Sequence, residues 1–484
     1  MLISNLRWVF ISTFLATLTM AAGTSTQPAS APTSQPEVRT LIIQSSPVPD
    51  PPLKYRLLPQ ATDMQAGNAA ELYLMAFHFQ VAGEKFNQRF ADDKDLSDQI
   101  DEWLEKPMSA EDRATAQKLI DGFSQVLHFA HLAARKEKCV FDPEFLAGQN
   151  SLVFCFLRLA KVICLQAHLQ IQLGDYEKAA TSLQTAYMIV RHLTDNQSFV
   201  PALVGLNIAR YVNNQTEYWI VTPKSPNLYW ALSIFPHPFY DFGKMADREL
   251  EATYKLLPFL KPSESTKMTS NQLDELVSTC LIGRLLAEKK MLPVGSDEPD
   301  GPLSRAKKNA LREKWIIEAR LALLEFGIPK SEIEKMSDLQ ACGILSSKTF
   351  ETTWQKHIAS ASLPYSEIGK IQNHLLDNSN IGRNRDLQAF WSDSVVASLN
   401  YKSRFTLGEQ RFAVLRSLEL LRASRSASTG SMPVMLDGDE ILPVPIDPIT
   451  GARMQYKLEG STAVLIPGGE RVIWKIDLKS NHQK

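Results

Sequence analysis

Apolar side chains recur at three- and four-residue spacing through most of the chain, from about residue 68 to residue 425. Residues 111–138 show the pattern, with polar side chains between the apolar positions Leu119, Phe123, Val126, Leu127 and Ala130. Such a stripe is typical of an amphipathic helix with one buried face. Similar stripes predict helices over residues 68–90, 151–173, 176–193, 200–219, 271–286, 305–326 and 407–424.

Residues 159–193 (LAKVICLQAHLQIQLGDYEKAATSLQTAYMIVRHL) resemble a single tetratricopeptide helical hairpin. Gly174 separates the two helices, Tyr176 and Ala179 open the second, and Leu183 and Ala186 supply its buried face. The first half lacks the usual Trp-Leu-Gly positions, and no second copy follows at a period of about 34 residues. Because one repeat cannot bury its own faces, neighbouring helices must cover it. The predicted fold is mainly α, an irregular α-solenoid-like helical array with one tetratricopeptide-like hairpin.

The pattern changes at residue 426 to shorter segments that alternate apolar and polar positions. MQYKLEGSTAVLI, residues 454–466, alternates across a Gly-Ser turn and predicts a β-hairpin, and RVIWKIDL, residues 471–478, predicts a third strand. We therefore expect a small β-rich C-terminal module over residues 426–484. Prolines bound two further segments, for which we expect an extended strap over residues 46–59 and a short helix within residues 225–241.

The N-terminus has the pattern of a secretory signal peptide. The charge of Arg7 precedes an apolar run from Trp8 to Leu18, and Met20-Ala21-Ala22 forms a small-residue cleavage site. These features predict a signal peptide over residues 1–22, a Ser/Thr/Pro-rich disordered linker over residues 23–45 and a helical array domain over residues 46–425. We expect export to the periplasm or the extracellular space, without a membrane span after cleavage. Retention of the N-terminal segment as an anchor stays an alternative.

The charge balance argues against nucleic acid as a partner, and the number of cysteines bears on disulfide pairing. The chain has 52 Lys and Arg, 53 Asp and Glu and a formal net charge of −1, with no basic stripe of the kind that binds nucleic acid. Its five cysteines are an odd number, so at least one thiol is unpaired or pairs with another chain. Their apolar surroundings favour buried free thiols.

Local catalytic signatures are missing from the sequence. It contains no zinc-protease helix motif, nucleophile elbow, phosphate loop, Cys-x-x-Cys or dinucleotide fingerprint. We therefore predict no cofactor and assign no catalytic residue. His128 and His131 are three residues apart and can share a helix face, but a third zinc ligand is missing nearby, so packed or surface histidines are the favoured interpretation.

Aromatic side chains in residues 225–241 form one candidate binding site. Tyr229, Trp230 and Phe239, with Phe235 and Tyr240, could stack on a sugar or a peptide. The alternative is that the same rings lock this segment into the core, since each ring buries a large area.

Acidic residues near the C-terminus form a second candidate. Asp437, Asp439 and Asp447 could supply carboxylate oxygens to a calcium ion, but the spacing is not that of an EF-hand. In the alternative interpretation, Asp447-Pro448 and Thr450-Gly451 are turn residues, because Asp and Pro start turns and Gly allows positive φ.

Two resemblances to known families are carried by longer segments. The strap PPLKYRLLP with GNAAELY, the hairpin GDYEKAATSLQTAYMIVRHL, the segment PNLYWALSIFPHPFYD and LPYSEI together resemble a family of uncharacterised secreted, helix-rich proteins of planctomycete bacteria. The tail, with RFAVLRSLELLRA, LPVPIDPITG and MQYKLEG, is similar to the C-terminal part of type II secretion pseudopilins. These resemblances imply a secreted helical protein with a small C-terminal fold, and they imply no catalytic residue.

Two functional hypotheses follow. The first is a non-catalytic interaction or scaffold protein of the cell envelope, whose helical array offers a groove to a protein or peptide partner. The second is a secreted protein that binds or degrades polysaccharide, with an aromatic-lined groove and paired carboxylates.

Overall fold

The computed structural model describes residues 36–49, 54–78, 86, 88–90, 95–141, 150–195, 199–274, 276–277, 302–376, 385–436, 442–469 and 472–479. The fold is mainly helical with a small β-rich C-terminal part, which confirms the predicted fold class. The described residues divide into two compact units, one within residues 242–403 and the other within residues 36–241 and 404–479. We call the described part of the first the central unit and that of the second the terminal unit.

Helices build most of the terminal unit. In chain order they are α1 (Ala69–His78), α2 (Leu96–Glu105), α3 (Ala110–Gly122), α4 (Ser124–Ala133), α5 (Asn150–Gln172), α6 (Tyr176–Thr194), α7 (Phe199–Val221) and α8 (Tyr229–Ser233). The central unit contains α9 (Phe242–Leu256), α10 (Pro302–Glu325), α11 (Lys330–Ile333), α12 (Asp338–Ser362) and α13 (Tyr365–Leu376). A long helix, α14 (Arg385–Ala423), contributes its residues from Arg404 onward to the terminal unit, and the short α15 (Arg425–Ser428) follows.

The predicted tetratricopeptide-like hairpin corresponds to α5 and α6. Gly174 turns the chain with a φ of +76°, a conformation that side chains disfavour, and Asp175 caps α6 by accepting the Lys178 backbone N–H. Leu183 and Ala186 are fully buried, as predicted, and Ala179 is fully buried as well. Each of α5, α6 and α7 packs against the other two, so these three helices form a bundle and cover the faces that a single hairpin leaves open.

A four-stranded sheet belongs to the terminal unit. Its strands are β1 (Glu37–Ile43), β4 (Gln455–Glu459), β5 (Thr462–Ile466) and β6 (Val472–Leu478), in the spatial order β1-β6-β5-β4. The antiparallel pairs β4–β5 and β5–β6 confirm the predicted hairpin and third strand. A separate two-stranded pair consists of β2 (Gln65–Asn68) and β3 (Lys136–Lys138).

Strand β1 corrects the predicted domain boundaries. The predicted disordered linker 23–45 is wrong over residues 37–43, because EVRTLII pairs in parallel with β6 over its whole length. The β-rich module is therefore not confined to residues 426–484. The cause is composition: β-branched Val, Thr and Ile fit a pleated strand, and β6 offers them a partner.

The central unit is held by an apolar core between α9, α10 and α12. Trp315, Leu323 and Leu345 are buried in it together with Phe259 and Leu260 from the 3₁₀ turn Pro258–Leu260. Helix α12 approaches a second 3₁₀ turn, Ser265–Lys267, at Gly343, where a Cβ atom would lie 2.1 Å from the Ser265 carbonyl oxygen. Only glycine fits there, which fixes how closely the two backbones approach.

Four of the described cysteines are buried, as predicted: Cys139, Cys155, Cys164 and Cys342. Burial raises the thiol pKa of all four, that of Cys342 to about 12, so the reactive thiolate is disfavoured. Cys280 lies outside the described residues. Within the described part of the chain, each helix is either too short or too polar to span a bilayer.

Candidate functional site

The aromatic candidates of residues 225–241 lie mostly in the interior of the terminal unit. Tyr229 is fully buried on α8, where its hydroxyl donates to the Pro443 carbonyl and the Arg416 guanidinium lies 5.4 Å from its ring centroid. Trp230 is half-buried, and its indole N–H donates to the Pro49 carbonyl at 3.1 Å. Tyr229 and Trp230 therefore fasten neighbouring segments to α8.

Phe239 belongs to an aromatic cluster. Its ring centroid lies 5.2 Å from that of Phe235, 4.8 Å from that of Phe412 on α14 and 5.1 Å from that of Tyr240. Phe239 is buried, and Tyr187 from α6 packs against it at 6.3 Å. These rings join α6, α14 and the loop after α8, and the described contacts leave no open face on Phe239 for a sugar.

Asp447 lies in a closed turn. Its buried carboxylate accepts both the Gln410 side-chain amide, at 3.0 Å for each oxygen, and the backbone N–H groups of Ile449 at 2.8 Å and Gly468 at 2.5 Å. The Gly451 N–H donates to the Asp447 carbonyl at 2.8 Å. These donors occupy the lone pairs that a calcium ion would need.

The other calcium candidates, Asp437 and Asp439, lie outside the described residues. Among the residues that the structure describes, no three His, Cys, Asp or Glu side chains converge as metal ligands would. His128 and His131 do not form a pair of free ligands either. His131 is hydrogen-bonded to the Thr185 hydroxyl at 2.7 Å, and burial lowers its pKa.

Two further histidines are buried between helices. His192 on α6 bonds the Tyr73 hydroxyl of α1 at 2.9 Å through Nδ1 and the Lys136 carbonyl at 3.1 Å through Nε2. Burial lowers its pKa to about 4, so the neutral imidazole joins the two elements. His168 on α5 bonds the Gln215 amide oxygen of α7 at 2.7 Å and stacks on Tyr218 with ring centroids 3.9 Å apart.

A buried ion pair connects distant parts of the terminal unit. Arg422 and Glu419, both on α14, form a bond of 2.7 Å, and their side chains are fully buried. Arg422 also donates to the carbonyls of Ser225 at 2.8 Å and Gln44 at 3.2 Å, while Glu419 accepts the Leu228 N–H at 2.7 Å. Burial raises the pKa of Glu419, opposed by Arg422 and the Leu228 N–H. The pair positions the segment that follows β1 and the loop before α8.

One described helix of the central unit exposes an apolar stripe. On α10, Trp315, Ala319 and Leu323 face the core, whereas Ile317, Leu321 and Leu324 lie 67%, 40% and 43% exposed. At about 100° per residue, the three exposed positions lie within roughly 60° of one another around the helix. We call this set the α10 stripe.

The α10 stripe is bounded by charged side chains. Lys314 and Glu318, one turn apart, form an ion pair of 3.9 Å beside Ile317, and Arg320 donates to the Ile333 and Met336 carbonyls. Exposed apolar side chains are common singly, but a contiguous set with a charged rim is typical of an interaction surface.

Sequence reasoning predicted a helix here but missed the stripe. The signal is present in WIIEARLALLEF, residues 315–326, where apolar positions occupy more of the helix circumference than one buried face requires. Comparison of the chain with protein-family models, with curated proteins and with solved structures found no match in any of the three.

Proposed function

We propose that this chain is a secreted, non-catalytic interaction or scaffold protein of the cell envelope. The observation that carries the proposal is the α10 stripe, formed by Ile317, Leu321 and Leu324 on the face opposite the core of the central unit. The resemblance to secreted helix-rich planctomycete proteins and the signal-peptide pattern of residues 1–22 support the envelope location.

The partner is a protein that presents an amphipathic helix. Positions 317, 321 and 324 are spaced four and three residues apart, the interval at which one helix offers side chains to the grooves of another. Lys314 and Glu318 at the edge of the α10 stripe give such a helix charged neighbours that fix its register.

Three buried histidines of the terminal unit have structural partners, which gives the non-catalytic proposal indirect support. His131, His168 and His192 are held in hydrogen bonds between helices, and burial lowers the pKa of each. These side chains stabilise the terminal unit. Of the aromatic rings that the polysaccharide hypothesis needs, Tyr229 and Phe239 are buried in the same unit, and Trp230 is half-buried with its indole N–H bonded to the Pro49 carbonyl, so no described contact favours that second function.

The test compares binding by the parent chain and a Leu321→Glu variant. Proteins captured from the native envelope fraction by the parent chain are identified, purified and measured again for direct binding. We expect one protein to bind the parent and to lose most of its affinity for Leu321→Glu, because a carboxylate would be desolvated at the centre of the interface.

Leu173→Glu is the matched control. Leu173 is also an exposed leucine, 61% exposed just after α5, but it belongs to the terminal unit and has no stripe around it. A partner that binds the parent and Leu173→Glu but not Leu321→Glu supports the proposal. Equal binding by all three chains, or no partner that binds directly, overturns it.

A further inference from the structure

Strand β1 is an edge of the four-stranded sheet, and its hydrogen-bonding groups divide between two sides. The Ile43 carbonyl accepts the Lys479 N–H at 2.9 Å, in register with the parallel pairing of β1 and β6. In a parallel pair, alternate residues direct both backbone groups to the partner. Residues 37, 39, 41 and 43 therefore bond β6, and the N–H and C=O groups of Val38, Thr40 and Ile42 point away from the sheet.

This free edge has a definite length. Beyond Ile42 the same side of the chain is occupied, because the Gln44 carbonyl accepts from Arg422 and the Ser46 N–H donates to the Arg422 carbonyl. Within the described sheet, β6 is the only strand that pairs with β1. Among the residues that the structure describes, the outward backbone groups of Val38, Thr40 and Ile42 therefore have no partner, and Thr40 is at the centre of the three.

The side chains on the outer face of β1 are apolar and exposed. Val38 is 53% exposed and Ile42 is 59% exposed, with Thr40 between them on the same face. Side chains on the opposite face of β1 pack within the terminal unit: Arg39 forms an ion pair of 3.0 Å with Glu217 of α7, and Ile43 is buried. An edge with free backbone groups and exposed β-branched side chains is a template for another strand.

The edge is complementary to itself. When two copies of β1 pair antiparallel about a two-fold axis at Thr40, Val38 of each copy lies opposite Ile42 of the other, and the two Thr40 residues face each other. All three are then hydrogen-bonded pairs, because each member directs its backbone groups outward. Pairs of β-branched side chains across such a ladder are favourable.

Other registers fit less well. A two-fold axis at Arg39 would place two guanidinium groups opposite each other and leave Ile42 without a partner on β1. An axis at Leu41 would leave Val38 without one. The register about Thr40 pairs every outward residue and sets no like charges directly opposite, which is the condition for a closed two-fold interface.

We propose that β1 is a self-association edge, through which two copies of this chain join their sheets into one continuous sheet of eight strands. The surface lies in the terminal unit and is separate from the α10 stripe, so it stands or falls independently of the proposed function.

A cysteine placed on the axis tests the proposal in the full chain. In a hydrogen-bonded antiparallel pair the two Cα atoms are about 5.5 Å apart, within the range that a disulfide spans. We therefore expect Thr40→Cys to form a disulfide-linked dimer as its main product under mild oxidation. The parent chain, with its native cysteines, is the blank.

Lys475→Cys is the matched control. Lys475 is the residue of β6 that pairs with Thr40, but the two copies of residue 475 would be three strand spacings apart, about 14 Å, which is beyond disulfide reach. Equal dimer yields from the two variants would overturn the proposed register.

A proline substitution provides an independent measurement by sedimentation. Thr40→Pro removes an N–H that points away from β6, so the sheet within each copy is retained while two bonds between copies are lost. We expect the parent chain to sediment as a dimer at concentrations where Thr40→Pro sediments as a monomer with unchanged circular dichroism. A parent chain that is monomeric throughout, or a strand pairing formed only with a foreign peptide, would overturn the proposal.

Discussion

The two units differ in where they place their charges. The terminal unit contains buried ion pairs besides exposed ones such as Lys106–Glu102: the side chains of Glu419 and Arg422 are 0% and 1% exposed, and those of Glu217 and Arg411 are 7% and 13% exposed. In the described central unit, Arg248 and Glu251 are 44% and 51% exposed, and most other ion pairs are similarly open to solvent. Apolar packing holds the central unit, whereas directional polar bonds specify which distant segments meet in the terminal unit.

Burial changes how much folding stability is lost when one member of an ion pair is removed. An exposed ion pair contributes about 0 to 1 kcal/mol, since water solvates both charges well. A buried pair adds little net stability, but removal of one member leaves an unpaired charge in the interior and costs about 3 to 5 kcal/mol. The terminal unit should therefore be the more sensitive of the two to polar substitutions.

Arg422→Met should have the largest effect. It removes the partner of Glu419 and the donor to the Ser225 and Gln44 carbonyls, and we expect a loss of about 3 to 5 kcal/mol in the free energy of unfolding. Urea unfolding followed by circular dichroism measures it. Arg248→Met in the central unit is the control, with an expected loss below about 1 kcal/mol.

The double variant Glu419→Gln with Arg422→Met separates charge from packing. Glutamine keeps an acceptor for the Leu228 N–H and removes the unpaired charge, so this chain should be more stable than Arg422→Met alone. If Arg422→Met loses no more stability than Arg248→Met, the contrast between the units is wrong.

Asp447→Ala should have the next largest effect, about 3 kcal/mol. It leaves the N–H groups of Ile449 and Gly468 and the Gln410 amide without their acceptor in a buried turn. Asp477→Ala is the control, because Asp477 accepts one described bond, from Thr462, and is less buried. We expect the same melting temperatures in calcium and in a chelator, and a calcium-dependent increase in the parent that Asp447→Ala loses would establish a metal site instead.

Whether the sequence predicts one of these contacts depends on how far apart the contacting residues lie along the chain. Periodicity predicted the helices and the β4–β5 hairpin because each pattern is complete within a short segment. It did not predict β1, because EVRTLII follows a Ser/Thr/Pro-rich stretch and its partner β6 lies at the other end of the chain. It did not predict the burial of Arg422 either, since an arginine near a helix end usually faces water.

The candidate sites show the same limit. The turn interpretation of Asp447 rested on the local Asp-Pro and Thr-Gly pairs, but its main side-chain donor, Gln410, is on α14. The burial of Tyr229 and Phe239 depends on Arg416 and Phe412 of the same helix, which no local pattern connects to residues 225–241. The α10 stripe is the exception, because it lies within one helix and was readable in WIIEARLALLEF.

His192→Gln should alter the pH dependence of the terminal unit. Burial holds the pKa of His192 at about 4, whereas an unfolded histidine titrates near 6.5. Between these values the unfolded chain binds a proton that the folded chain does not, so stability falls as the pH falls from 6.5 towards 4, by up to roughly 3 kcal/mol.

The measurement is the difference between two chains. Urea unfolding at pH 7 and pH 5 should show a smaller loss of stability for His192→Gln than for the parent, although the variant is less stable at pH 7 because Tyr73 loses its imidazole partner. Burial also lowers the pKa of His131 and of His168, but both residues are present in both chains, so their effect cancels in the comparison. An unchanged pH dependence would mean that His192 has the same pKa in the folded and the unfolded chain.

Leu321→Glu should have the smallest effect on stability. It tests the contrast between the two units with a substitution in the central unit. Leu321 is 40% exposed on the face of α10 opposite Trp315 and Leu323, so we expect a change within about 0.5 kcal/mol. Urea unfolding checks this before any binding measurement is interpreted. A larger loss would mean that the α10 stripe is packed within the molecule, and the surface would then be needed for folding and unavailable to a partner. A negligible loss together with lost binding would show that the central unit uses exposed apolar side chains of α10 for recognition and does not need them for folding.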